Sequence, residues 1–347
     1  MIRVLVVEDS AVVRELLCMI LSSDREVVVI GTAGNGAEAV DAVADQRPDV
    51  ITMDIHMPVM DGFESTRRIM ETHPTPIVIV SGNTLANELD TSFRALEAGA
   101  LTLLPRPPGP THRDYETAAR ALIRTVKLMS EIKVVRRLPR RKPEPAERPV
   151  RVPASIEAVA IGASTGGPAA LREIFSVLPR DLPFPLLVVQ HIGTGFLAGF
   201  VDWLSQVSAI PIHLAIEGEP LLPGTAYVAP EGVHLGVTRG RRVLLSDAMP
   251  EHGARPSVSY LFRTCSEIFG DRLLGVLLTG MGRDGAQELG MLKSRGALTV
   301  AQDKGSSIVF GMPGEAIRIG AAGKVLALEE IGPLIASFAS SDRGVAQ

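Results

Sequence analysis

The sequence predicts an α/β protein of two domains: an N-terminal (βα)5 doubly wound domain, then a C-terminal Rossmann-like parallel-sheet domain with an added β-hairpin region. Three observations carry this. Short β-branched runs alternate with amphipathic stretches over the first 110 residues. A charged, Pro-rich segment interrupts the pattern, and a second alternation starts at Ala158. The length of 347 residues suits two domains of roughly 100–200 residues each.

In the first domain Val4–Val7, Val27–Ile30, Val50–Met53, Ile77–Val80 and Leu101–Leu104 read as five buried strands. Helical stretches lie between them at Ala11–Leu21, Ala37–Val43, Ser65–Met70 and Leu89–Glu97, and a closing helix runs over about Tyr115–Val135. Residues 136–153, poor in apolar side chains and rich in Pro and Arg, read as an extended linker. In the second domain Ala158–Ile161, Leu186–Gln190, Leu273–Leu278 and Ala297–Ala301 are the expected parallel strands. Helices follow at Pro168–Val177, Phe196–Leu204, Val258–Phe269 and Ala286–Ser294. The 206–257 region reads as hairpins, with turns at Leu222-Pro223-Gly224, Pro230-Glu231-Gly232 and Thr238-Arg239-Gly240.

Charge is unevenly distributed within a net of −4. Residues 1–110 hold eight Arg and no Lys against sixteen acids, whereas residues 133–151 hold eight Lys/Arg against two Glu. A basic run without interleaved aromatics suits a solvated linker better than a nucleic-acid surface. Residues 152–347 carry fifteen Lys/Arg against eighteen acids and no recognition-helix pattern, which argues against a DNA-binding effector. With 46% apolar residues the chain is neither disordered nor a disulfide framework. Cys18 and Cys265 read as core thiols in a reducing compartment. No signal peptide or 18-residue apolar run is present, so the expected compartment is the cytoplasm, without membrane insertion.

Strand ends carry the chemistry. Glu8-Asp9 follow the first strand and Asp54 the third. In a doubly wound sheet such ends meet at the switch point, and crowded carboxylates there call for a hard cation, with Mg²⁺ the natural fit. Ser81 and Arg106 close the fourth and fifth strands, adding a hydroxyl and a fixed positive charge suited to a phosphoryl acceptor. Helix capping by the same acids is the competing explanation, but it does not account for all five positions. Glu8-Asp9, Asp54-Ile55-His56-Met57-Pro58, Asp61-Gly62, Ser81 and Arg106-Pro107 together resemble the receiver domain of two-component response regulators, over residues 1–125. The resemblance implies phosphorylation of Asp54 by a histidine kinase, and Mg²⁺ held by Glu8 or Asp9, by Asp54 and by the backbone carbonyl of His56. Two positions depart from that pattern: Arg106 stands where the family has Lys, and Leu103 where it often has an aromatic switch residue.

In the second domain Gly162-Ala163-Ser164-Thr165-Gly166-Gly167-Pro168 is a G-x-S-x-G turn between a strand and a helix. Glycines permit a tight elbow that presents the Ser164 hydroxyl, with the next helix N-terminus supplying N–H groups for an oxyanion. A dinucleotide site would need an acid after the following strand, yet that strand ends in Gln190-His191. Among seven His, only His191 follows an apolar strand next in order, so it is the candidate base. Asp284, after Leu273–Leu278, is the candidate orienting acid, with helix N-capping as the alternative.

These segments, with Leu222–Tyr227, Leu278–Gly285, Gln302–Ser307 and Phe310–Pro313, are similar to the chemotaxis protein-glutamate methylesterase family over nearly the whole chain. By that resemblance Ser164 is the nucleophile, His191 the base and Asp284 the orienting acid. The backbone N–H groups of Thr165 and Met281 form the oxyanion hole. The domains implied are a receiver at 1–125, a helix end and linker at 126–153, and a catalytic domain at 154–340. The implied activity is phosphorylation-regulated hydrolysis of glutamyl methyl esters on methyl-accepting chemotaxis receptors, with deamidation of specific glutamines. Those receptors and a chemotaxis histidine kinase are the expected partners of a monomer. Beyond the receiver's Mg²⁺ no cofactor is expected. The unphosphorylated receiver is expected to restrain Ser164. Ser259 stands where the family usually has Asp.

Overall fold

The computed structural model describes residues 1–82, 93–132, 156–193 and 195–341. The expected linker at 136–153 and the start of the helix expected at Leu89–Glu97 lie outside the described residues. The chain divides into two units, Met1–Ala146 and Glu147–Gln347.

In the first unit, strands β1 (Ile2–Val7), β2 (Val27–Ala33), β3 (Val50–Met53), β4 (Ile77–Ser81) and β5 (Thr102–Pro105) form one sheet in the order β2-β1-β3-β4-β5. Every pairing is parallel. Helices α1 (Ala11–Ser22), α2 (Gly36–Gln46), α3 (Gly62–Thr72), α4 (residues 93–98) and α5 (Tyr115–Ser130) supply the crossovers and the closing element. β3 and β4 are buried on both faces, which is why they read as unbroken apolar runs. β1 lies between β2 and β3, so the chain reverses direction across the sheet at β1 and the ends of β1 and β3 flank a crevice.

In the second unit the strands are β6 (Ala158–Ala163), β7 (Leu186–Gln190), β8 (Ile212–Leu214), β9 (Ala226–Val228), β10 (His234–Val237), β11 (Val243–Ser246), β12 (Leu273–Leu277), β13 (Leu298–Gln302) and β14 (Lys324–Leu326). Seven of them form a sheet in the order β14-β13-β12-β6-β7-β9-β8, and β10 and β11 pair as a separate antiparallel ribbon. The helices are α6 (Gly167–Phe175), α7 (Leu197–Ser205), α8 (Val258–Phe269), α9 (Ala286–Ser294), α10 (Met312–Arg318) and α11 (Leu328–Ser341). The hairpin expectation for 206–257 holds only for β10 and β11. β8 and β9 instead extend the main sheet, with parallel pairings β7–β9 and β8–β9. At three residues each, they are too short for their pattern to show direction or partner. β6, the first strand of this unit, sits between β7 and β12, so the ends of all three meet at one crevice.

Candidate functional site

The serine elbow is held by its backbone. Ser164 N–H donates to the Thr279 carbonyl at 3.1 Å. The Ser164 carbonyl accepts from Gly167 N–H at 2.8 Å and from Gln190 Nε2 at 2.9 Å. Gly166 adopts φ +79°, the left-handed conformation that starts α6. Gln190 also donates to the His191 carbonyl at 2.7 Å, so one buried amide ties the serine turn to the histidine turn. His191 N–H donates to the Ala163 carbonyl at 3.0 Å, continuing the β6–β7 register past the strand ends.

His191 Nε2 lies 3.0 Å from Asp284 Oδ2. Asp284 is buried and accepts from Ser257 Oγ at 2.8 Å, Val258 N–H at 2.7 Å and Ser259 N–H at 2.9 Å. Burial alone would raise its carboxyl pKa. The His191 and Ser259 interactions outweigh that and hold it well below the ordinary carboxylate range. The residue therefore stays ionised beside the imidazole.

Two N–H groups complete the crevice. A trans peptide points its C=O and N–H in opposite directions. With the Ser164 carbonyl bound by Gly167 and Gln190, the Thr165 N–H faces away from both. The Gly280 carbonyl accepts from Gly311 N–H at 3.0 Å and Met312 N–H at 2.8 Å, which turns the Met281 N–H away from α10. Neither N–H meets an acceptor among the described residues. Gly280 lies against the elbow: a Cβ there would stand 2.7 Å from Ser164 Cβ and 2.4 Å from Met312 Sδ. A reactive hydroxyl, an imidazole on an anchored carboxylate and two oriented donors can together perform acyl transfer.

In the first unit Glu8, Asp9 and Asp54 bring one carboxylate oxygen each within 4.8 Å of one another. Glu8 is fully buried, and burial, then the Asp54 charge, push its carboxyl up to about 7. Burial also raises Asp54, against the lowering effect of Arg106. Arg106 Nη2 reaches Glu8 Oε2 at 3.1 Å and Asp54 Oδ1 at 3.3 Å. Ser81 Oγ is buried with no hydrogen-bond partner among the described residues. A crowded all-oxygen donor set with one exposed member, Asp9, fits a hard, partly hydrated divalent cation such as Mg²⁺. The unpartnered hydroxyl is one that an incoming phosphoryl oxygen would satisfy. Leu103 is buried and the His56 side chain is exposed.

Comparison with known proteins settles the family. Residues 159–335 match the family model of the CheB methylesterase, and residues 4–112 that of the response regulator receiver domain. A protein-glutamate methylesterase/protein-glutamine glutaminase of Nitrosospira multiformis is 55% identical over 99% of this chain and 98% of its own length. A relative of the same designation from Geobacter metallireducens is 53% identical over 98% of this chain and 99% of its own. The chain belongs to the protein-glutamate methylesterase/protein-glutamine glutaminase family. The crystal structure of the Thermotoga maritima CheB methylesterase catalytic domain shares 35% identity, covering 53% of this chain and 98% of that one, with a TM-score of 0.51.

As a member of this family the chain is an α/β enzyme with a fused receiver. Of the residues singled out in sequence, Ser164, Thr165, His191, Met281 and Asp284 come to the ends of β6, β7 and β12, and Glu8, Asp9, Asp54, Ser81 and Arg106 to the ends of β1, β3, β4 and β5. Sequence reasoning gave no role to Gln190, Ser257 or His234. Gln190 carried a signal, being a polar residue that ends an otherwise apolar central strand. Among the described residues no helix is long and apolar enough to cross a membrane.

Proposed function

We propose that this protein is a phosphorylation-regulated serine hydrolase. It removes methyl groups from glutamyl γ-methyl esters on methyl-accepting chemotaxis receptors, and deamidates specific receptor glutamines. The supporting observation is the His191–Asp284 contact of 3.0 Å between two strands that flank the serine strand. Ser164 Oγ attacks the ester carbonyl while His191 takes its proton. With Nε2 turned to Asp284, Nδ1 is the ring nitrogen left for that proton. The Thr165 and Met281 N–H groups receive the oxyanion. His191 then protonates the departing methoxy group, methanol leaves, and a glutamyl–Ser164 ester remains. Water, deprotonated by His191, hydrolyses that ester and restores Ser164 and a receptor carboxylate. With a glutamine substrate the leaving group is ammonia and the other steps are the same.

In the receiver, Asp54 is the phosphoryl acceptor, supplied by a chemotaxis histidine kinase. Glu8, Asp9, Asp54 and the His56 backbone carbonyl would hold Mg²⁺, which when bound neutralises charge on the incoming phosphoryl group. Ser81 and Arg106 would hold the phosphoryl oxygens, with Leu103 on the switch strand. The hydrolase chemistry needs no cofactor, and the protein works in the cytoplasm, as a monomer, on the cytoplasmic part of its receptors. The decisive test is methanol release from a methylated receptor. Wild type with a small-molecule phosphodonor releases methanol faster than without it, and Ser164→Ala releases none. Release by Ser164→Ala at the wild-type rate would remove the nucleophile assignment, and a wild type that binds receptor without turnover would make the domain a binding module.

A further inference from the structure

Behind Asp284 lies a buried polar network that the hydrolytic chemistry does not itself use. Ser257, Ser259 and His234 are fully buried. Ser257 Oγ has one proton, and it goes to Asp284 Oδ1 at 2.8 Å, so its lone pairs face the Ser259 N–H at 3.1 Å. Ser257 N–H donates to His234 Nδ1 at 3.1 Å. That bond makes Nδ1 an acceptor, so His234 carries its proton on Nε2, which meets the Met249 carbonyl at 3.1 Å. The ring is stacked on Tyr260 at 4.7 Å between centroids.

Ser259 grips the other side. Its hydroxyl proton goes to Glu288 Oε2 at 2.7 Å, which leaves a lone pair for the Gly285 N–H at 2.9 Å, directly after Asp284. Arg263 stands 4.0 Å from Glu288 and pairs with Glu251, so the Glu288 charge has a cation nearby. A carboxylate at position 259 would face the Glu288 carboxylate instead. A hydroxyl there donates to it.

We propose that Ser257, Ser259 and His234 are positioning residues for the proposed hydrolysis: they lock the Asp284 carboxylate so that Oδ2 alone is presented to His191. Oδ1 is saturated by the Ser257 hydroxyl and the Ser259 N–H. The Val258 N–H fixes the plane through Oδ2. The carboxylate cannot rotate without breaking three bonds in a buried setting, where each broken bond leaves an unpaired polar group. The inference rests on the serine-hydrolase reading, and its test separates the two.

The probe is the rate at which a fluorophosphonate labels Ser164 in the full-length protein with Mg²⁺ and a small-molecule phosphodonor present, followed across pH and normalised to folded protein. This readout needs no receptor. Ser257→Ala is expected to label about ten-fold or more slowly, as for loss of a charge-assisted bond. The acid limb of its rate profile should also move to higher pH, because an Asp284 with one donor fewer holds protonated His191 more firmly. The charged groups around this site, Glu288, Arg263 and Glu251, are unchanged in the variant. Ser257→Thr, which keeps the hydroxyl, restores both rate and limb. Loss of labelling in proportion to lost folded protein, with the acid limb in place, would overturn the proposal and leave Ser257 a helix cap. A wild type that labels rapidly but releases no methanol would sink the receptor-ester reading and leave the network standing. A wild type that does not label would sink both.

Discussion

His191 Nε2 and Asp284 Oδ2 stand 3.0 Å apart although their strands, β7 and β12, are not neighbours. β6 runs between them and ends at the serine turn. The contact therefore arches over the C-terminal end of the serine strand. His191 directly follows β7, whereas Asp284 stands on the loop between β12 and α9, where Ser257, Val258 and Ser259 at the start of α8 hold it in place.

The first prediction concerns Asp284→Asn. The amide keeps the size but loses the charge that stabilises an imidazolium, so kcat on methylated receptor should fall on the order of 10³–10⁴-fold. Stability should respond as well. The folded-state pKa of Asp284 is depressed below the unfolded value of about 3.9, so its contribution is fully present above that value and is lost as pH falls through the folded one. Chemical denaturation at pH 7 should show the Asp284→Asn protein less stable than wild type, with the gap narrowing below about pH 4. A constant gap across that range would mean that Asp284 titrates alike in both states.

Gly280→Ala tests the close approach beside the elbow. The added methyl would meet Met312 Sδ at 2.4 Å and Ser164 Cβ at 2.7 Å, distances no side chain tolerates without movement. The Met312 thioether can shift, so the overpacking cost should be about 1–3 kcal/mol. Displacement of Ser164 and the Met281 N–H should cost more in rate, about 10²-fold in kcat/KM. Thermal unfolding and methanol release measured on the same sample check this. A loss of stability without a matching loss of rate would mean that the elbow tolerates the shift.

The site was legible because it lies on central strands. β6, β7 and β12 are buried on both faces, so each appears in sequence as an apolar run, and the candidate residues Ser164, His191 and Asp284 stand in the turns and the loop that follow those runs. The edge was not legible. β8 and β9 have three residues each, and a period of two over three residues says nothing about partner or direction. α10, β14 and α11 were not foreseen as elements. Ser257 and His234 could not be read as a network from sequence, because Asp284, the partner of the Ser257 hydroxyl, and His234, the partner of its N–H, come from distant parts of the chain that only tertiary packing aligns.

Thiol chemistry gives an independent check on the core. Cys265 is fully buried on α8, and burial drives its thiol far above the ordinary range, so the reactive thiolate is suppressed. Cys18 on α1 is only partly buried, with a smaller upward push from burial. Iodoacetamide at pH 8 should therefore modify Cys18 first, and Cys265 only as the second unit unfolds. Peptide mapping over a denaturant series reads this directly. Early labelling of Cys265 would mean that α8, and with it the anchor of Asp284, opens locally.

Arg106 makes the last prediction. Its guanidinium touches both Glu8 and Asp54, the acids that would share Mg²⁺, so it partly occupies the electrostatic role of the ion. Arg106→Ala removes a unit charge from that cluster, and Mg²⁺ should then bind more tightly, by roughly ten-fold in a calorimetric titration at moderate salt. Phosphorylation of Asp54 by a small-molecule donor should nevertheless slow, because the fixed charge proposed to receive the phosphoryl oxygens has gone. Arg106→Lys keeps the charge as a compact ammonium and should lie between wild type and Ala in both measurements. Mg²⁺ affinity that is the same in all three proteins would place Arg106 outside the electrostatics of the pocket and leave its contacts with Glu8 and Asp54 as packing alone.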